Sequence, residues 1–486
     1  MVGQMQAELG ARALPRATPE SQGFPSQALA AFLDGAAKQG PAQELHSLMV
    51  LRHGNVIAEG WWHPFEAGRK HLLYSLSKSF TSSAVGIAIG EGLLRLDDPV
   101  LSFFPDKSPV APSANLAAMK VRHLLSMSAG QASEPWPNLD GRNNPDWVAC
   151  FLNHPVENEP GSVFLYNSIA TFMLSAILQR LTGVTTLDYL KPRLLEPLGI
   201  TEATWEKNAE GIVVGGWGMS IATESIAKFG QLYLQDGVWE GRRLLPDGWV
   251  AEATRKHIEN GPNENDDWGS GYGFQFWRCK QPGCYRADGA FGQLCVLIPE
   301  HEMVVAVTAR VEFIHMTMDL IWEHLVPAAE SEALPEDPAA VAELRARLAA
   351  LGVRGPEGIA ASAFEARVTG RTFKGEGSQL GDMRWEFSPE GCTLTFTENG
   401  APHRVDAGRG GWREGATTFR LVRDQPVAAW GAWTSDSTYT IHLQYLEEPG
   451  STVFTADFDG DDVKVTTTLR GRFVDPAGPV FTGRAG

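Results

Sequence analysis

Ser75, Leu76, Ser77 and Lys78 open an almost uncharged stretch, SLSKSFTSSAVGIAIGEG. In a helix, residues three apart share one face about a turn apart, so the Lys78 ammonium can reach the Ser75 hydroxyl. The helix N-terminus adds positive potential around that hydroxyl. A lysine buried there gives up its proton readily and can take the serine's, which makes the hydroxyl a nucleophile. The motif is short enough to occur by chance, and a second copy does occur, Ser225-Ile226-Ala227-Lys228. Context separates them. Ser75 precedes a long apolar run that reads as a buried helix. Lys228 falls on an amphipathic helix and reads as a solvated lysine.

Other groupings carry less chemistry. Cys279 and Cys284 lie five apart with no second pair at zinc spacing, so they read as reduced thiols. Asp457, Asp459, Asp461 and Asp462 resemble a calcium loop superficially. Gly460 falls at the wrong position and residue 468 is threonine, so a hairpin turn is expected. There is no Gly-x-Ser-x-Gly elbow and no phosphate-binding Gly-x-x-x-x-Gly-Lys loop.

The elements that must position Ser75 can be outlined from periodicity. Helices are expected over about 75–92, 170–181 and 224–235, each ended by a glycine-containing turn. A strand-like run spans 46–62 and breaks at His53-Gly54-Asn55, as a hairpin does. Strands return near Tyr272, and FGQLCVLIPE and MVVAVTAR form a second hairpin pattern. Helices in the middle with strands from both ends imply an α+β body, an antiparallel sheet flanked by a helical region. A Pro- and Glu-rich stretch follows, and then short alternating strands to the end, which imply a small antiparallel barrel or sandwich. The expected domains are 1–326, a linker with a short helix over 327–352, and a β-rich accessory domain over 353–486.

Composition narrows the function classes. The 486 residues are 43% apolar and 20% charged, a soluble globular balance. The net charge of −17 repels phosphate backbones and anionic lipid, so neither a nucleic acid nor a membrane is an expected partner. No apolar run approaches the roughly 20 residues that cross a bilayer. The first residues lack a signal-peptide core and the cysteines are few, so the cytoplasm is the expected compartment.

The stretch 74–99 resembles the nucleophile helix of the β-lactamase-related serine hydrolases. This penicillin-recognising fold includes class C β-lactamases, D-Ala-D-Ala carboxypeptidases, family VIII esterases and 6-aminohexanoate-dimer hydrolases. VRHLLSMSAG, FLYNSIATFMLSAILQRLTG and GGWGMSIATESIAKFGQLYLQDGVWEGRRLL resemble further family segments in the expected order. The resemblance covers about residues 20–325. It implies the β-lactamase/transpeptidase-like fold for the body, with Ser75 as nucleophile and Lys78 beside it.

The family's Tyr-x-Asn element reads Tyr166-Asn167-Ser168 here. The resemblance implies that Tyr166 is a general base, a phenolate near Lys78 that takes the Ser75 proton and passes it to the leaving group. Ser168, or Asn167 after a local shift, would replace the family's asparagine as a donor to substrate or Lys78. The third element, usually Lys-Thr-Gly, is matched by Ala287-Asp288-Gly289. Gly289 would allow close backbone approach, and the N–H groups of Ala290 and Ser75 would form the oxyanion hole. The cation usual at the first position is replaced by Ala287. Asp288 would repel a substrate carboxylate and favour an amine, or would face away and cap a turn.

The function implied is a serine hydrolase that forms an acyl-enzyme on Ser75 and acts on a small ester or linear amide, with no metal and no cofactor. Alternatives are a D,D-peptidase or β-lactamase, or an inactive relative that binds peptides or peptidoglycan fragments. Trp61, Trp62, Trp136 and Trp217 are candidates to line the cleft. A homo-oligomer stays open.

Overall fold

The computed structural model describes residues 13–136, 146–263, 266–359, 361–375, 379–420, 424–471 and 473–486. The chain divides into two compact units. The first holds residues 1–60, 72–309 and 313–349, and the second holds 61–71, 310–312 and 350–486.

The first unit is built on a six-stranded sheet. Its strands are β1 (Gln43–Arg52), β2 (Asn55–Trp61), β3 (Trp277–Arg278), β4 (Tyr285–Gly289), β5 (Gln293–Ile298) and β6 (Met303–Val311). They lie in the order β2-β1-β6-β5-β4-β3, so late strands sit beside the N-terminal hairpin. Both expected hairpins form. His53 and Gly54 turn β1 into β2 with positive φ angles of 48° and 77°. Every residue of β5 and β6 is buried, because these central strands are covered on both faces.

Three helices matter for the site: α1 (Ser77–Gly90), α2 (Ser168–Thr182) and α3 (Thr223–Leu234). The first twelve residues of α1 are buried, polar ones included. A helix this poor in charge has no wet face to show, so neighbours enclose it. Helix α2 is capped at its start by Asn167, whose Oδ1 accepts the Ala170 N–H, and ends on Gly183 at φ 73°. Helix α3 holds the second Ser-x-x-Lys copy. Lys228 there is buried against Glu224 at 3.9 Å, where a solvated lysine was expected. The helix packs on the sheet, and its burial reaches the lysine stem that periodicity assigned to solvent.

The β-rich part of the second unit is a closed barrel. Consecutive strands from Thr372–Gly375 to Ala401–Arg409, and again from Arg413–Thr417 to Ala477–Ala485, pair antiparallel, and the last returns to Thr372–Gly375. Closure is completed where Ala401–Arg409 meets Gln425–Trp433 in parallel, with Gly408 opposite Trp430. Nine strands form the ring, and Arg413–Thr417 lies beside Gln425–Trp433 as a tenth. Closure removes the free edges that an open sheet would expose. Large side chains such as Trp385, Trp433 and Phe454 fill the interior. The aspartate-rich segment is a hairpin turn, with Asp459 opposite Asp462 and Gly460 at φ 59°. Among the described residues no helix is long and apolar enough to cross a membrane, and no three metal-ligating side chains cluster. Among the described residues no disulfide forms.

Candidate active site

Ser75 lies in a short 3₁₀ turn, Tyr74–Leu76, that leads into α1. Tyr74 holds φ at 47°, in the left-handed region that a non-glycine residue seldom adopts. Ser77 fixes this turn, because its Oγ donates to the Tyr74 carbonyl at 2.6 Å and accepts the Met219 N–H at 3.1 Å. One turn on, Lys78 is fully buried, and its Nζ lies 3.0 Å from Ser75 Oγ, 3.2 Å from Ser168 Oγ and 2.7 Å from the Gly216 carbonyl. Burial pulls the Lys78 ammonium down to about 7, against the upward pull of Glu134 and Asp288.

A loop and a strand end enclose this contact. Residues 215–218 bring the Gly216 carbonyl to Lys78, and a Cβ on Gly216 would stand 2.7 Å from the Ser168 carbonyl oxygen. The loop can therefore approach α2 only with glycine there. On the other side, Gly289 ends β4 against the nucleophile turn. A Cβ on Gly289 would stand 2.0 Å from the Leu73 carbonyl oxygen and 3.1 Å from the Leu76 nitrogen. That close approach seats Gly289 against the turn that carries Ser75. Gln293 anchors the turn that follows by donating to the Ala290 carbonyl at 3.1 Å and the Ala309 carbonyl at 2.8 Å.

Tyr166 precedes α2. Its ring stacks on Trp277 at 5.4 Å and meets Tyr272 edge-on, and Lys78 Nζ lies 4.8 Å from its centroid. Its hydroxyl lies beside Ser75. Burial pushes the phenol well above its usual range, and the Asp288 charge adds to this. Burial thus opposes the phenolate that the sequence analysis expected of Tyr166. The aromatic walls that hold the ring also deny its anion solvation.

The structure separates Asn167 from Ser168. Ser168 is the one that meets Lys78. Asn167 is buried and committed to its helix cap and to Gln131, to which its Nδ2 donates at 2.7 Å. Asp288 neither caps a turn nor stands alone. It is buried and accepts Arg286 Nε at 2.7 Å. Arg286 and Asp288 share a strand face because they are two apart. The site does have a cation on this strand, at Arg286, one residue before the position that the family pattern pointed to.

Sequence reasoning missed Glu134, Gly216, Arg286 and Trp277. Glu134 accepts the Ser168 backbone N–H on one oxygen and the Trp136 indole N–H, at 2.7 Å, on the other. Its sequence neighbourhood is a loop without period, and its only signal is that it follows the segment resembling the family's loop-bearing helix. Of the four candidate tryptophans, Trp136 and Trp217 stand 5.5 Å apart beside Glu134 and Gly216. Trp61 and Trp62 belong to the second unit, where Trp62 packs against Phe65, Val353 and Leu446.

Comparison with known proteins agrees with this fold. The family described as Beta-lactamase matches residues 33–324. The 6-aminohexanoate-dimer hydrolase of Paenarthrobacter ureafaciens is 26% identical over 218 residues, 42% of this chain and 55% of that protein. Penicillin-binding protein 4 of Amycolatopsis lactamdurans is 26% identical over 55% of this chain and 75% of its own. The structure of an octameric penicillin-binding protein homologue from Pyrococcus abyssi covers 94% of this chain and 99% of its own, with a TM-score of 0.50 at 16% identity. The matched segment takes in more than half of the chain and every residue of the site described above, and the chain belongs to the beta-lactamase family.

Proposed function

We propose that the chain is a serine hydrolase that forms an acyl-enzyme on Ser75 from small esters or linear amides. The observation that carries this reading is a buried lysine, held near neutrality, 3.0 Å from a serine hydroxyl at a helix start. A neutral Lys78 has two N–H groups and one lone pair. Ser168 Oγ and the Gly216 carbonyl take the two N–H groups, which turns the lone pair toward Ser75. As Ser75 Oγ bonds to the substrate carbonyl carbon, its proton moves to Lys78. The N–H groups of Ser75 and Ala290 hold the developing oxyanion. Collapse breaks the bond to the leaving group, which leaves with a proton from the Tyr166 hydroxyl, and Lys78 restores that proton. Water then hydrolyses the acyl-enzyme by the same steps in reverse roles. This division of labour follows from the two environments: burial lowers the lysine and raises the tyrosine, so one is the base and the other the acid.

The relative named a 6-aminohexanoate-dimer hydrolase supports amides among the substrates. The test is labelling by a fluorophosphonate probe together with turnover of a p-nitrophenyl ester. The native chain should label at Ser75 and turn the ester over, and Ser75→Ala should do neither while melting at the native temperature. A folded native chain that neither labels nor turns over would overturn the reading.

A further inference from the structure

Two carboxylates flank Lys78, and their surroundings differ. Asp288 is buried and neutralised by Arg286. Glu134 is only half-buried, and both its oxygens face neutral donors, the Ser168 N–H and the Trp136 indole. Among the described residues it forms no ion pair. Its charge acts on Lys78, and Lys78 must be neutral to act as base. Among the described residues, with Lys78 neutral, the Asp288–Arg286 pair sums to zero and Glu134 leaves the site net negative. Beside it Trp136 is 47% exposed, Trp217 lies 5.5 Å from Trp136, and Trp147 stacks on Trp217 at 5.8 Å. Tryptophan faces attract cations, and a reachable carboxylate at their edge adds a charged acceptor.

The geometry points to Glu134 as the residue that sets the charge selectivity of the site: with the Trp136 and Trp217 faces it receives a cationic group carried by the substrate, and it turns anionic substrates away. This rests on the reading of Ser75 as nucleophile. It also moves charge selectivity from Asp288, whose charge Arg286 cancels, to a residue on a different loop. The ligand class is an acyl compound with an ammonium or guanidinium group a short chain away from the scissile carbonyl.

The experiment compares three p-nitrophenyl esters whose acyl chains end in trimethylammonium, in the isosteric tert-butyl group, and in carboxylate. They are assayed above the Lys78 transition so that its titration does not enter. The native chain should favour the cationic ester over its neutral isostere by about tenfold in kcat/KM. The carboxylate ester should be the poorest of the three. Glu134→Gln should bring the cationic-to-neutral ratio to about one, whereas Glu134→Asp, which keeps the charge, should retain most of it. A purely structural role for Glu134 would move the absolute rates of both variants and leave the ratios alone. The native preference should also shrink as salt rises, a readout that needs no variant. Equal native rates on the cationic and neutral esters, or a ratio unchanged in Glu134→Gln, would overturn the inference and leave the hydrolase reading standing. No turnover of any ester by the native chain would overturn both.

Discussion

Lys78 gives the residue scale its clearest prediction. The neutral amine is the active form, so kcat/KM should rise with pH through about 7 and level off above it. A limb in the carboxylate range instead would remove Lys78 from the base role. Lys78→Ala and Tyr166→Phe should each lower kcat/KM by about a hundredfold or more. The double variant should lose far less than the product, because one proton passes through both. Asp288 makes a different prediction. Its carboxylate is the ion-pair partner of fully buried Arg286, so Asp288→Asn leaves a charge uncompensated in the core. The cost should be about 3–5 kcal/mol of stability, read from denaturant unfolding. A variant as stable as the native chain would show that Arg286 finds another partner.

At the scale of elements, the site is a meeting of two helix starts, one loop and one strand end. Asn167 sets where α2 begins, and through that where Ser168 and Tyr166 stand. Asn167→Ala should cost about 1 kcal/mol for the cap alone, more as the Gln131 side chain also loses its partner, and should lower kcat by displacing Ser168. Gly289→Ala tests the strand end. A methyl group there would stand 2.0 Å from the Leu73 carbonyl oxygen, so β4 or the nucleophile turn must move. A shift of about 1 Å at a reacting centre costs on the order of a hundredfold in rate. Probe labelling of Gly289→Ala should slow by that order. Native labelling would place the oxyanion donors elsewhere.

On the scale of the whole molecule, every side chain proposed to take part belongs to the first unit, and the barrel is a second core of its own. A chain ending at Ala349 should therefore still label at Ser75 wherever it folds. It should melt below the full chain, because residues 61–71 and 310–312 lose the unit they belong to. A shortened chain that melts like the full one yet does not label would place part of the site in the barrel.

Local chemistry was enough for much of this. The spacing of Ser75 and Lys78, the uncharged run behind them, the glycine stops of the helices and the period-2 strands after residue 363 each depend on neighbours in sequence, and each is found in the structure. The order of family-like segments brought Tyr166 and Gly289 to the same site. Three matters needed the tertiary structure. Whether Asn167 or Ser168 meets Lys78 depends on which residue caps α2, and that is settled by Gln131 from another segment. The state of Tyr166 depends on Trp277 and Tyr272, more than a hundred residues away, which deny its anion water. The charge of the site depends on pairing: Asp288 is cancelled by Arg286, while Glu134, from a loop with no periodic signal, forms no ion pair among the described residues. Burial and pairing are properties of what surrounds a group in space, and a sequence read along one dimension does not contain them.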